Sequence, residues 1–219
     1  MKNIKEMRRI TAIVVIFGLL AMMFYPIMEI ASTAAGGAEE VCIPDPGLEE
    51  LIREAIDKPY GPIYVEDLEG LTILDAGLNA PGRGIADLTG LEYCTDLESL
   101  HLWSNEITDI APLSQLVNLE SLNLGGNEIT DLSPLSQLVN LEELDLRWNE
   151  ITDLSPLSHL VNLWSLNLSS NEITDIAPLV LNSGLSEGDM VYLTGNPLSR
   201  KSIKVYIPQL EERGVIVKW

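Results

Sequence analysis

The chain of 219 residues is short of basic residues, and this shortage narrows the classes of partner that it can bind. It has 13 Lys and Arg against 33 Asp and Glu, which gives a formal net charge of −20. Four of those bases, Lys2, Lys5, Arg8 and Arg9, lie at the very start of the chain. Because like charges repel, so acidic a protein is not expected to bind nucleic acid or an anionic membrane surface.

Aromatic residues are scarce, and common catalytic motifs are missing. Aromatic side chains make up 5% of the chain, and both phenylalanines, Phe17 and Phe24, precede residue 25, so the core must be aliphatic. No Walker loop, H-E-x-x-H or C-x-x-C spacing occurs. The only histidines, His101 and His159, occupy different repeat positions and should not meet. We therefore predict that the protein is not an enzyme and has no cofactor and no metal site.

Cysteine is limited to Cys42 and Cys94, and two interpretations of this pair stay open. An even number of cysteines in an exported chain allows a disulfide. Alternatively, Cys94 aligns with Leu116 and Leu138 of later repeats, which indicates a small hydrophobic side chain in the core. The sequence alone does not place the two Cα atoms within the roughly 7 Å that a disulfide requires.

The most informative feature that is present is a repeat of 22 residues. Leu97, Leu119, Leu141 and Leu163 open successive copies of the pattern L-x-x-L-x-L-x-x-N-x-I-T-D-[IL]-[AS]-P-L. A fixed period in the range of 20 to 29 residues with this consensus is typical of a leucine-rich-repeat solenoid. We therefore predict an α/β fold in which the copies stack and their short strands form one parallel sheet.

Within one copy, the pattern predicts which residues face inward. Leu122 and Leu124 alternate at strand spacing, and Asp131 is placed to cap a short 3₁₀-like turn that contains Pro134. One asparagine per copy should stack into a ladder, its amide satisfying the backbone of the next copy. This predicted ladder comprises Asn105, Asn127, Asn149, Asn171 and Asn196. A second column consists of one glutamate per copy, namely Glu106, Glu128, Glu150 and Glu172. We expect it to be a solvated edge of the solenoid, although carboxylates at this spacing could also hold a cation.

The regions outside the repeats divide the chain into further segments. Residues 1–35 combine a basic start, an apolar run and small residues, which indicates a signal peptide, or an N-terminal anchor if it is retained. Residues 36–70 form the predicted helical N-terminal cap, with Asp45 as N-cap, Pro46 at N1 and an apolar stripe that runs on to Ala55 and Ile56. The repeat array is predicted over residues 71–198 and a C-terminal cap over 199–219, with a bend or break at Pro208.

From Val41 to Trp219 the chain resembles the internalin-type leucine-rich-repeat proteins of bacteria. The stretch CIPDPGLEELIREAIDKPYGPIYVEDLEGLTILDA resembles their N-terminal cap, GIADLTGLEYCTDLESL their irregular first repeat, and NEITDIAPL their repeat core. The resemblance implies a right-handed solenoid with the parallel sheet on a concave face, short 3₁₀ turns on the convex face and helical caps at both ends. It also implies a secreted or cell-surface module that binds a protein on the concave face.

The repeats differ from one another mainly at strand positions that should point outward, and these positions predict a binding surface. Surface Trp and Arg are the residue types most enriched in protein interfaces. Gly125 should leave a shallow gap between Trp103 and Arg147, open to a side chain of the partner. The candidate binding residues are His101, Trp103, Asn123, Asp145, Arg147, Trp148, Asn167 and Tyr192. We expect a monomer that binds a protein, or else a glycan, and the alternative is a self-associating structural protein of the cell envelope.

Overall fold

The computed structural model describes residues 39–76 and 82–219, so the predicted signal peptide or anchor lies outside the described residues. Seven strands form one parallel sheet in chain order, which confirms the predicted leucine-rich-repeat solenoid. The central strand residues pair in one register, for example Leu100 with Leu122 and Leu122 with Leu144. The strands are β1 (Ile73–Asp75), β2 (Ser99–His101), β3 (Ser121–Asn123), β4 (Glu143–Asp145), β5 (Ser165–Asn167), β6 (Met190–Tyr192) and β7 (Ile216–Lys218).

The chain returns from each strand through a short turn of helix on the other side of the core. The first four such segments are 3₁₀, as predicted: Leu91–Tyr93, Ala111–Gln115, Ser133–Gln137 and Ser155–His159. The fifth is the α-helix α3 (Ala177–Leu181), in the coil between β5 and β6, which is three residues longer than the regular repeat of 22. Asp131 turns the chain by accepting a hydrogen bond of 2.8 Å from the Ser133 N–H. The equivalent aspartates, Asp109, Asp153 and Asp175, make the same contact.

The core between the sheet and these turns is aliphatic throughout. All the inward leucines and isoleucines of the regular repeats are buried, and one continuous cluster runs from Val41 to Val215. Cys94 lies within it and is fully buried, as its alignment with Leu116 indicates. Both cysteines are free thiols, and burial, followed by the charge of Glu92, raises the pKa of Cys94 to about 12.

A column of asparagines joins consecutive coils at the ends of the strands. Asn127 accepts a hydrogen bond of 3.0 Å from the Ile107 N–H and donates through its amide nitrogen to the carbonyls of Leu102 and Leu124. Asn149, Asn171 and Asn196 make the equivalent bonds to their own and the preceding coil, and Asn105 accepts from the Ile85 N–H and donates to the Leu102 carbonyl. Since these groups are buried or partly buried, each asparagine satisfies backbone atoms that water does not reach.

The N-terminal cap consists of α1 (Pro46–Ala55) and the short α2 (Val65–Leu68). Pro46 opens α1 after the N-cap Asp45, and Leu48, Leu51 and Ile52 are buried against the first coil. Of the last two residues of the predicted apolar stripe, Ala55 is exposed, whereas Ile56, the C-cap of the helix, is partly buried and packs against the core. Arg83 of the first coil binds Glu54 of α1 at 2.7 Å, which adds an ion pair across the same junction.

The C-terminal cap covers the other end of the core. A π-helical segment (Ser202–Tyr206) precedes α4 (Ile207–Glu212), so the predicted division of this helix occurs just before Pro208. The Ser202 hydroxyl is fully buried and donates to the Thr174 carbonyl at 2.8 Å. The Arg213 guanidinium donates to the carbonyls of Val180, Asn182 and Leu185, which fixes α4 to the last irregular coil. Within residues 39–76 and 82–219, no helix has the length and apolar character needed to cross a membrane.

Candidate binding face

The outward side of the sheet, which we call the sheet face, carries three rows of side chains. The first and third residues of each strand point outward because strand side chains alternate, and the second residue after the strand forms a third row. Strands β2 to β6 bring together all eight candidate binding residues on or beside this face. The sheet pairing places His101, Asn123, Asp145, Asn167 and Tyr192 in one continuous row.

Three of the candidates form what we call the tryptophan–arginine cluster: Trp103, Arg147 and Trp148. The two indole rings lie 5.1 Å apart with an interplanar angle of 57°. The guanidinium carbon of Arg147 lies 4.5 Å from the ring centre of Trp103 and 5.3 Å from that of Trp148. Both separations suit cation–π contact, so the cluster is held together before any partner arrives.

The predicted gap at Gly125 does not exist, because Trp103 fills it. A Cβ atom added to Gly125 would lie 2.4 Å from Cζ3 of Trp103 and 3.2 Å from Cγ of Arg147. The indole therefore lies over the glycine and reaches Arg147 two strands away. The glycine is needed for this close approach, and the indole leaves no opening over it.

Trp148 has a backbone conformation that is unfavourable for its side chain. Its φ is +55°, in the left-handed region, and the same position of the neighbouring coils holds only Ser or Gly: Ser104, Gly126, Ser170 and Gly195. A bulky residue in this region costs on the order of 1 kcal/mol or more. Nevertheless, 53% of the Trp148 side chain is exposed. Folding alone therefore gives little reason for a tryptophan at this position.

Beside the cluster lies a depression of about 550 Å³. Its centre is on β4, where Glu143 and Asp145 point outward, and His101 and Tyr192 lie toward its two sides. The remaining polar lining comes from the flanking strands and from the cluster, namely Ser121, Asn123, Arg147, Ser165 and Asn167. The lining is therefore rich in hydrogen-bonding groups, with Leu122 and Leu144 among its apolar residues.

Asp145 is the most buried carboxylate of the depression. Its Oδ2 lies 3.2 Å from Nε of Arg147, and its Oδ1 accepts a hydrogen bond from the Arg147 backbone N–H. Burial raises the pKa of Asp145, and the contacts with Arg147 and Asn167 only partly offset that effect. Arg147 thus compensates the charge of Asp145 incompletely.

His101 has only long contacts on this face. Its Nε2 lies 3.4 Å from the Ser121 hydroxyl and its Nδ1 lies 3.8 Å from a carboxylate oxygen of Asp75. His159 lies elsewhere, on the exposed 3₁₀ turn of its coil, where Nδ1 contacts the Ser158 hydroxyl. The two histidines do not form a common site.

A G-x-S-x-G pattern at residues 184–188 does not have the structure of a hydrolase nucleophile. Such a serine sits on a sharp turn from a strand into a helix. Ser186 instead lies in an exposed loop that leads into β6, and its backbone N–H and hydroxyl both contact Asp189. Among the described residues, no group of three or more His, Cys, Asp or Glu side chains is arranged to hold a metal ion, and the glutamate column is exposed.

Comparisons with known proteins agree with the fold and the repeat. A family model for leucine-rich repeats in pairs of copies matches residues 95–137, 117–159 and 139–181. The crystal structure of an internalin (InlF) from Listeria monocytogenes is 30% identical, with a TM-score of 0.63 over 85% of this chain. The match spans 59% of that internalin, so this chain corresponds to about three fifths of its length.

A second solved structure, internalin C2 of the same species, is 26% identical with a TM-score of 0.55, and the match covers 85% of this chain and 99% of that one. No curated protein sequence matches the chain. The repeat match and both structural matches point to the same family, and its cap, irregular first repeat and 22-residue period are all present here. The chain therefore carries leucine-rich repeats, and it is similar to proteins of the internalin type.

Proposed function

We propose that the chain is an exported, non-catalytic module that binds another protein through its sheet face. The observation that carries this proposal is the tryptophan–arginine cluster, in which Trp148 is both exposed and conformationally strained. Strain of this kind persists where the surrounding structure imposes it, and it is concentrated at functional sites. Trp and Arg are also the residues that most often dominate the binding energy of an interface.

The cluster is well suited to anchor a partner because its shape is set in advance. Trp103 and Trp148 contact each other, and Arg147 contacts both rings. Side chains that are already ordered lose little conformational entropy when they bind. The other candidates, His101, Asn123, Asp145, Asn167 and Tyr192, would form the polar surroundings of this anchor.

Replacing Trp148 with serine should separate binding from folding. The backbone at Ser104 and Ser170 has the same left-handed conformation, so serine fits there without rearrangement. We expect the free energy of unfolding to stay within about 1 kcal/mol, because lost ring contacts and relieved strain oppose each other. Binding to the protein recovered by affinity capture should weaken by roughly thirtyfold, as expected for an interface anchor.

The controls for this experiment lie on the opposite side of the core. Gln115→Ala and His159→Ala change exposed side chains of the 3₁₀ turns and should leave binding unchanged. Trp103→Ala and Arg147→Ala should weaken binding as Trp148→Ser does. Wild-type binding by all three cluster variants, combined with weaker binding by the two controls, would contradict the proposal.

Export is the second part of the proposal, and it depends on the first 35 residues. The basic start, the apolar run and the small residues that follow are the features that support it. We expect the mature N-terminus to lie between Ala34 and Glu39, which mass spectrometry of the protein from its native host would show. A full-length chain in the soluble cytoplasmic fraction would contradict export.

A further inference from the structure

We infer that the partner is a basic protein segment, and that a Lys or Arg side chain of this segment enters the depression beside Glu143 and Asp145. This inference rests on the proposed function, because it names the chemistry of the partner for the same sheet face. Its support comes from the charges around the depression, the groups that line it and the net charge of the chain.

The first support is the distribution of charge along the repeats. Arg147 is the only Lys or Arg between Arg83 and Arg200. Its guanidinium lies against the two indole rings, and its Nε lies 3.2 Å from Oδ2 of Asp145 without forming a hydrogen bond. Arg147 is therefore already engaged with groups of its own chain.

The second support is the state of the two carboxylates on β4. Glu143 and Asp145 are two residues apart on one strand, so their side chains leave the same face about 7 Å from each other. In the part of the chain that the structure describes, the carboxylate of Glu143 has no hydrogen bond or ion pair, although its backbone N–H donates to the Glu120 carbonyl. With Arg147 only partly compensating Asp145, the centre of the depression retains negative charge that an incoming cation would stabilise.

The third support is the character of the walls. The hydroxyls of Ser121 and Ser165 supply further acceptors around the two carboxylates. Tyr192 adds an aromatic ring beside them, which can contact an ammonium or guanidinium group. The stem of a Lys or Arg side chain fits a depression of about 550 Å³, and the adjacent tryptophan–arginine cluster would contact its apolar neighbours.

The fourth support acts at longer range. A net charge of −20 attracts a basic partner and accelerates its encounter, and it repels an acidic one. A carboxylate of the partner could pair with Arg147, but it would have to approach this field and the carboxylates on β4. The balance of charge therefore favours the cation.

The test uses small probes, so it does not depend on knowing the partner. N-acetyl-lysine methylamide is titrated into the isotope-labelled, purified protein at low salt, while the backbone amide signals of Asn123, Asp145 and Asn167 are followed by NMR. N-acetyl-norleucine methylamide has a similar side chain without the charge, and N-acetyl-glutamate methylamide carries the opposite charge. We expect saturable shifts with the lysine probe, and an affinity about tenfold above that of the norleucine probe, the effect of one charge-assisted hydrogen bond.

A matched pair of variants separates the site from general attraction to an acidic protein. Glu143→Gln and Glu128→Gln each remove one negative charge, but Glu128 lies in the exposed glutamate column outside the depression. Only Glu143→Gln should weaken the lysine probe, by about tenfold. Equal weakening by both variants, equal affinity for the lysine and norleucine probes, or tighter binding of the glutamate probe would overturn the inference. If the inference about a basic partner failed in this way, loss of protein capture by Trp148→Ser would still support the proposed binding function. Failure of the inference and failure of the proposed function are therefore distinguishable.

Discussion

Replacing Asp45 with alanine is expected to lower the free energy of unfolding by about 3–5 kcal/mol, because one buried carboxylate joins the N-terminal cap to the first coil. Its Oδ1 accepts hydrogen bonds from the backbone N–H groups of Gly47 and Leu48 at the start of α1. Its Oδ2 accepts from Ala86 and Asp87 in the first coil. Alanine would leave these four donors without their acceptor, some of them away from water.

Urea denaturation would measure this loss, and Asp87→Ala is the control. The Asp87 side chain is exposed and only accepts hydrogen bonds from Thr89, so its removal should cost less than about 1 kcal/mol. If the two variants had the same midpoint of denaturation, Asp45 would be an ordinary helix cap and not a junction between two parts of the fold.

The same carboxylate should make stability depend on pH. Burial raises the pKa of Asp45, but the hydrogen bonds from Ala86, Leu48, Asp87 and Gly47 together outweigh it, so the pKa lies below its usual value. The unfolded chain therefore takes up the proton first as the pH falls. The contribution of Asp45 is complete above the ordinary value of about 4 and disappears as the pH falls through the lowered pKa. The difference in stability between wild type and Asp45→Asn, measured from pH 6 to pH 2, should shrink over that interval.

Asn127→Ala should have the next largest effect, a loss of about 3 kcal/mol. The substitution leaves the buried Ile107 N–H without its acceptor and the carbonyls of Leu102 and Leu124 without a donor. Because these atoms belong to two consecutive coils, the loss weakens the contact between coils as well as one turn. Thermal or urea denaturation measures the change.

The neighbouring residue provides the control for Asn127. Glu128 is exposed, and its replacement with alanine should change stability by no more than about 0.5 kcal/mol. Equal melting temperatures for Asn127→Ala and Glu128→Ala would mean that the asparagine column contributes nothing beyond an exposed position.

The repeat made the core and the turns predictable from sequence. A period of 22 places Leu100, Leu122, Leu144 and Leu166 at equivalent positions, and equivalent positions must share one environment when identical coils stack. The N-cap at Asp45 was predictable for a similar reason, because local chemistry determines the start of a helix.

The contacts that break the repeat were not predictable in this way. The period does not encode the direction in which Trp103 leans, so the predicted gap at Gly125 was wrong. The burial of Ser202, Asn182 and part of Arg213 follows from contacts between the last coil and the cap, which have no counterpart elsewhere in the chain. A signal for them was present only in the 25-residue spacing from Asn171 to Asn196, which shows that the last coil is irregular.

The reach of Trp103 across Gly125 to Arg147 means that the cluster draws on three consecutive coils. A solenoid can gain or lose a coil with little effect on its interior, because each coil contacts only its neighbours. Removal of residues 119–140 would leave the remaining leucines in register, yet it would bring Trp103 and Arg147 onto adjacent strands and eliminate the glycine between them. A change in the number of coils would therefore alter the tryptophan–arginine cluster on the sheet face. The core would tolerate arrays of many lengths.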